Sequence, residues 1–293
     1  MPREGSSRER RTAAVVRLTH PFPSLLNGAA TALVALFAGA EPATAARLGV
    51  AMTALQFSIG TANDVADVER DAARTDKPIP TGLVPRRTAT WAAAGFAAIG
   101  LALTVPSGPA TVAVGGLGLG VGLAYDLRFR GTAASWLPFA IGIPLLPVYA
   151  WLGATGGLPA AFLVLIPMAV VAGAGLAVAN ALDDVEVDRR SGAGSVALAL
   201  GARRAWTVHA ALLGSAAAVA VGSIPILAGV GERAADPVRT GVGVGVALLG
   251  AAIIAVGVAL ARPARPGARG WEVEAVGLTA VAVGWIVGVD VRG

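Results

Sequence analysis

The sequence predicts an all-α, polytopic membrane protein, a helical bundle of about nine transmembrane helices. Three observations predict it. Of 293 residues, 55% are hydrophobic and only 14% are charged, with a mean hydropathy of +0.70, outside the range of ordinary soluble domains. Apolar stretches repeatedly reach the roughly 20 residues that a helix needs to cross a bilayer. The basic residues also fall in alternate gaps between those stretches, as they do when cytoplasmic loops carry the positive charge.

Taken in order, residues 1–20 read as a cytoplasmic N-terminal tail and residues 21–293 as a single transmembrane domain. The tail carries Arg3, Arg8, Arg10, Arg11 and Arg17, and the apolar run after it is too long for a signal peptide and lacks a small-residue cleavage site. Spans one and two are expected at 23–40 and 45–63, parted by Glu41-Pro42. Span three, at 88–105, follows a charged loop, and span four, at 109–125, follows Pro106-Ser107-Gly108-Pro109. Spans five and six, at 135–153 and 159–182, are divided by Gly156-Gly157-Leu158-Pro159. Spans seven, eight and nine fall at 205–230, 239–261 and 272–290, the last two separated by Arg262-Pro263-Ala264-Arg265-Pro266-Gly267. Proline, glycine and charge are what interrupt helices in these gaps. The 39 glycines suit close helix packing in lipid, and equally a GC-rich coding sequence.

With the N-terminus inside, 19 of the 23 Lys and Arg residues fall on the cytoplasmic side, leaving Arg47, Arg233, Arg239 and Arg292 outside. The expected location is therefore the cell membrane, multi-pass, N-terminus cytoplasmic. The net charge of +5 is then a property of the loops, and no nucleic-acid partner is expected. With no cysteine, disulfides, thiol catalysis, iron–sulfur clusters and Cys-zinc sites are excluded. His20 and His209 are the only histidines, too few for a multi-histidine metal or haem site.

Two acidic clusters stand out in this apolar chain. Asn63, Asp64, Asp67, Glu69 and Asp71 end the second span, and Asn180, Asp183, Asp184, Glu186 and Asp188 end the sixth. If the first segment is helical, steps of three and four residues put Asp64, Asp67 and Asp71 on one face. Like charges so placed repel unless a cation or water relieves them. Hard divalent cations take oxygen ligands, and magnesium typically joins one or two carboxylates to substrate phosphates. Facing clusters could therefore hold Mg2+ with a diphosphate between them. Arg74, Lys77, Arg128, Arg130, Arg189 and Arg190 lie in the same loops and suit an anionic ligand. Acids that merely solvate the membrane surface, or that serve a cation or proton pathway, are the competing readings. Placement at span ends rather than mid-bilayer weighs against the pathway.

Asn63-Asp64-Val65-Ala66-Asp67-Val68-Glu69-Arg70-Asp71 resembles the first aspartate motif, NDxxDxxxD, of the UbiA superfamily of intramembrane prenyltransferases, and Asp184-Val185-Glu186-Val187-Asp188 is similar to its second, DxxxD. Lys77-Pro78-Ile79-Pro80-Thr81-Gly82 resembles the family's basic segment after the first motif, and Tyr125, Arg128 and Arg130 before Leu137-Pro138 resemble another landmark. Motif order and span count agree over nearly the whole chain. The resemblance implies an isoprenoid diphosphate donor bound through Mg2+ in a cavity open toward the membrane, where lipid tails lie. It implies Asn63, Asp64, Asp67, Asp71, Asp184 and Asp188 as metal ligands, with Asp67, Asp71, Asp184 and Asp188 as the catalytic set. Lys77, Tyr125, Arg128, Arg130 and Arg189 are implied as substrate-binding residues. Glu69, Asp183 and Glu186, between the motif positions, read as solvated or structural.

The activity implied is transfer of a prenyl group to a small-molecule or lipid acceptor, quinone-precursor aromatics being the familiar ones. An internal cyclisation, as in a membrane terpene cyclase, uses the same ionisation, and a cation-coupled transporter is a reading from another class. Nothing in the residues selects the acceptor or the oligomeric state. The sequence departs from the family at Ala193-Gly194-Ser195, where a basic residue is customary, so that phosphate contact falls to Arg189 or Arg190 or is absent. Asn27 reads as facing the acceptor or bonding between helices. Tyr149 and Trp136, Trp151, Trp271 and Trp285 read as interface anchors by position. His20 reads as a surface residue and His209 as packed within span seven.

Overall fold

Helices form wherever the apolar runs predict them. The structure, a computed structural model, describes residues 12–72, 74–229, 236–262 and 269–291; Arg3, Arg8, Arg10, Arg11, Arg233, Arg265 and Arg292 lie outside the described residues. Among the described residues nine long helices follow in order: α1 (Pro21–Ala38), α2 (Pro42–Ala66), α3 (Arg86–Thr104), α4 (Pro109–Ala124), α5 (Leu137–Thr155), α6 (Phe162–Asp183), α7 (Ala202–Leu227), α8 (Pro237–Leu260) and α9 (Gly270–Val289). Short helices at Val185–Ser191 and Val196–Leu200 connect α6 to α7, and no strand occurs among the described residues. Proline in the first turn of α1, α2, α4, α5 and α8 supplies a preset φ where its missing N–H costs nothing.

Eight of the nine helices are long and apolar enough to cross a membrane. The exception is α2, which has 25 residues, about 37 Å at 1.5 Å per residue, but carries Arg47, Gln56, Asn63 and Asp64. Those polar groups face protein. Arg47 donates to the Leu103 carbonyl at 2.6 Å and to Ser107 Oγ at 3.0 Å, while Gln56 and Asn63 line an internal cavity. Leu25, Leu33, Val50, Trp91, Leu163 and Leu248 are exposed on the outside, the arrangement lipid requires.

The helices pack mainly against their sequence neighbours, and α9 returns to touch α1, α6 and α7, closing the bundle around the cavity. The tightest pair is α8 with α9. A Cβ placed on Gly243 would lie 2.3 Å from Gly288 Cα, whereas one on Gly245 would meet nothing within 4 Å. Without a hydrophobic drive between helices in lipid, such backbone approach is what holds the pair. Gly243→Leu is therefore expected to lower the thermal midpoint in detergent by 10 °C or more, taken as a rough figure for an overpacking cost of about 1–3 kcal/mol or above, while Gly245→Leu leaves it unchanged. A thermal-shift assay on the two purified variants reads this directly.

Three sequence expectations are corrected here. Tyr149, Trp151 and Trp285 are buried, not interface anchors. Tyr149 OH is 2.7 Å from Thr104 Oγ1, and Trp285 donates to Ser223 Oγ at 2.9 Å. Position along a span gives depth but not facing, and these rings face the core. Trp136 is exposed, as expected of an anchor. Residues 12–18 form a helix whose Ala14 and Leu18 pack with Ile79, Val84 and Ala89, so this part of the tail is docked. His209 packs inside α7 as expected, and its Nε2 faces Glu274 Oε1 of α9 at 3.3 Å, both side chains fully buried.

Candidate active site

The first acidic cluster sits where α2 ends. The regular helix stops at Ala66, yet Asp67 N–H donates to the Asn63 carbonyl at 3.0 Å and Asp71 N–H to the Asp67 carbonyl at 2.8 Å. These four-residue steps keep the helical register through the turns, so the carboxylates share a face as the spacing predicts. Asn63, Asp64, Asp67 and Asp71 are all buried. In the second cluster the chain breaks at Asp184, and Asp188 follows, buried, on the short helix Val185–Ser191.

Buried carboxylates are costly unless paired, and cations from several elements meet them. Lys77 Nζ lies 2.6 Å from Asp64 Oδ1 and 3.6 Å from Asp71 Oδ2. The turn after Lys77 is closed by Thr81 Oγ1 donating to the Lys77 carbonyl at 2.7 Å, and it ends on Gly82 with φ of 73°, a left-handed conformation that favours glycine. Arg130 bonds Asp67 of the first cluster through Nη1 and Asp184 of the second through Nη2, the latter at 3.3 Å. Arg70 bonds Asp188 across the same gap. Two arginines thus tie the motifs together. Burial pushes the Asp67 carboxyl above its ordinary value, against the pull of Arg130 and Arg70. Burial alone would lower the Arg130 guanidinium, but Asp67, Tyr125 and Asp184 hold it above its usual range.

A five-residue π-turn, Tyr125–Phe129, ends α4. It is closed by Arg130 N–H donating to the Tyr125 carbonyl at 2.9 Å. With more than 3.6 residues in that turn, Tyr125 and Arg130 come to one side. Asn180 Nδ2 donates to Tyr125 OH at 3.4 Å, and Phe139 packs edge-on against the Tyr125 ring.

A cavity of about 510 Å³ opens from this cluster. Asn63, Lys77, Tyr125, Arg130 and Asp184 line its polar end, and Met52, Leu55, Val114, Leu119, Leu146 and Tyr149 its apolar depth. Of the other residues expected at the site, Asp64, Asp67, Asp71 and Asp188 sit behind the lining in the ion-pair network. Arg128 and Arg189 are exposed outside the cavity. Arg189 and Arg190 both turn to Glu186, at 3.0 and 3.1 Å, and neither lines the cavity. Glu69 is exposed and pairs with Arg86 at 3.1 Å.

Several site residues escape sequence reasoning. His20, expected at the surface, has a left-handed φ of 46°, lines the cavity and holds Asp64 Oδ1 at 3.0 Å through Nε2. Asp126, Asp183, Trp271 and Glu272 also line the cavity, as does Asn27. The one signal for Asp126 was a lone acid between Tyr125 and Arg130, themselves singled out.

The side chains expected as metal ligands are all oxygen donors, five carboxylates and the Asn63 amide. Among the described residues no three His, Asp or Glu side chains converge tightly enough to enclose an ion by themselves. Oxygen donors of this kind suit a hard divalent cation such as magnesium.

Multi-pass helices around a cavity that is apolar in its depth and lined with acids and cations at one end define a membrane-embedded enzyme for an amphiphile with an anionic head. The chain belongs to the UbiA prenyltransferase family, whose sequence profile matches residues 24–270. It is 28% identical over 220 residues to the digeranylgeranylglyceryl phosphate synthase of Methanoregula boonei, covering 72% of this chain and 76% of that protein. The fold resembles a UbiA homologue from Archaeoglobus fulgidus solved with DMAPP and Mg2+, with TM-score 0.70, 19% identity, and coverage of 94% of this chain and 99% of the other. An apo UbiA homologue from Aeropyrum pernix K1 gives TM-score 0.67 at 21% identity, with coverage of 94% and 99%.

Proposed function

We propose that this prenyltransferase moves a prenyl group from an isoprenoid diphosphate to an acceptor, with Mg2+, at the cytoplasmic face of the cell membrane. The observation that carries the reading is the cross-linking of two aspartate clusters by Arg130 and Arg70 at the polar end of an apolar cavity. The Mg2+ bound by the two related donor complexes from Archaeoglobus fulgidus, with DMAPP and with GPP, supports the cofactor. Asn63, Asp64, Asp67, Asp71, Asp184 and Asp188 would hold it, and it supplies positive charge to the departing diphosphate.

The protein's own residues do the rest. Lys77 and Arg130 line the polar end and stabilise charge as the bond from prenyl C1 to diphosphate oxygen breaks and the electron pair leaves with the oxygen. The apolar walls exclude water, which would otherwise capture the allylic cation. The acceptor's nucleophilic atom then bonds C1 and loses its proton to the released diphosphate. A glycerol-based acceptor is favoured by the curated relative's name, and an aromatic quinone precursor is the other candidate.

The test is pyrophosphate release by the purified protein in lipid, with prenyl diphosphates of graded length, with and without Mg2+, and with glycerol-phosphate and aromatic acceptors analysed by mass spectrometry. Magnesium-dependent release with a prenylated acceptor is expected. Release of a hydrocarbon or terpene alcohol without any acceptor would replace transfer by cyclisation. No release from folded protein with any donor would sink the enzyme reading and favour transport.

Sidedness rests on the basic loops. Because the chain has no cysteine, single cysteines report cleanly. An impermeant maleimide added to intact cells is expected to label Leu158→Cys, in the α5–α6 loop, and to label Ala133→Cys, in the α4–α5 loop, only after permeabilisation. The reverse pattern would invert the topology.

A further inference from the structure

Asp126 occupies the π-turn that ends α4 and lines the cavity. Its Oδ1 accepts a hydrogen bond from Asn63 Nδ2 at 2.8 Å. Its Oδ2 is buried and has no hydrogen-bond partner among the described residues. Arg130, the cation of the same turn, is committed to Asp67 and Asp184. Asp126 Oδ2 is closed off from the cavity, whereas Oδ1 holds a side chain expected to ligate the cation.

The contact with Asn63 is the informative one. Asp126 Oδ1 takes the Asn63 Nδ2 hydrogen bond, so Asn63 presents its amide nitrogen to Asp126. The amide oxygen then points the other way. Ligands of metal sites are commonly oriented by such outer partners.

We propose that Asp126 is a positioning residue of the divalent-cation site: its Oδ1 holds the Asn63 amide nitrogen, which leaves the Asn63 amide oxygen to face the ion. This rests on the cation site of the proposed function. It makes Asp126 a determinant of metal affinity without contact with the prenyl donor.

The test is direct binding of Mn2+ alone to the full-length protein in lipid nanodiscs, read from the loss of the free Mn2+ EPR signal. Wild-type protein is compared with Asp126→Asn, Asp126→Ala and the exposed control Leu127→Ala. The two Asp126 variants are expected to bind Mn2+ about 10- to 100-fold more weakly, the usual cost of losing an outer partner, while Leu127→Ala matches wild type. In turnover assays the Mg2+ concentration for half activity should rise by a similar factor, with kcat at saturating Mg2+ within a few-fold of wild type. A merely structural role would instead lower the thermal midpoint and leave both metal readouts unmoved. Should Asp126→Ala fail to fold, the isosteric Asp126→Asn decides. Mn2+ binding by Asp126→Asn within twofold of wild type overturns the inference alone. Absence of Mn2+ binding by wild-type protein overturns the cation site, and the inference with it.

Discussion

Asp67→Asn lowers magnesium-dependent pyrophosphate release by about 10²–10³-fold, the usual effect of losing one preorganised group that acts on developing charge, and leaves the folded protein in the membrane. Asp67 takes Arg130 Nη1 and lies 4.0 Å from Arg70, the two arginines that also hold Asp184 and Asp188. An asparagine of equal size keeps the packing and can still accept a hydrogen bond. It removes the negative charge that the proposed cation site requires and that pairs with Arg130. Folding is spared because Arg130 retains Asp184 and Arg70 retains Asp188. Asp184→Asn should act as strongly from the other cluster. Turnover of both variants within a few-fold of wild type, at matched expression and thermal midpoint, would reject the assignment of these carboxylates.

Gly118→Phe abolishes turnover of long donors, by roughly 100-fold or more in kcat/KM, a discrimination of the size expected when a pocket contact becomes a clash of about 3 kcal/mol, while a dimethylallyl donor keeps most of its rate. Gly118 lines the cavity, and a Cβ added there meets nothing within 4 Å, so the new ring extends into open space instead of displacing a helix. It stands eight residues before Asp126 on α4, about 12 Å from the polar end at 1.5 Å per residue. A short chain stops before that point, whereas a geranylgeranyl chain must pass it. Gly122 is the contrast: a Cβ there would lie 2.4 Å from Ile59 Cδ1, so bulk at 122 penalises every donor through packing. Competition between DMAPP and geranylgeranyl diphosphate in one vessel measures the ratio. An unchanged ratio in Gly118→Phe would mean that the prenyl chain takes another route.

The helices were legible in the sequence because a bilayer leaves little choice. A spanning helix must satisfy its backbone internally and offer about 20 apolar residues to lipid, and eight of the nine long helices described do so, while α2 falls short because it carries Arg47, turned to Leu103 and Ser107, and Gln56 and Asn63, turned to the cavity. The acidic clusters were legible for the same reason, since carboxylates at the ends of such runs are costly and must be answered. Their partners were not. Arg70 reaches Asp188 and Arg130 reaches both motifs across 118, 63 and 54 residues of chain, and spacing within one helix carries no information about such contacts. Nor does it reveal that Arg128 turns outward while Arg130, two residues on, turns in, because a π-turn resets the facing there.

His20, Asp126 and Tyr149 teach the same lesson from single residues. Composition and period determine which segments enter the membrane and where charge is tolerated. Which face of each helix meets the cavity is decided when α9 closes against α1 and the buried groups of six helices must find partners among one another, because only the assembled bundle defines where water is absent.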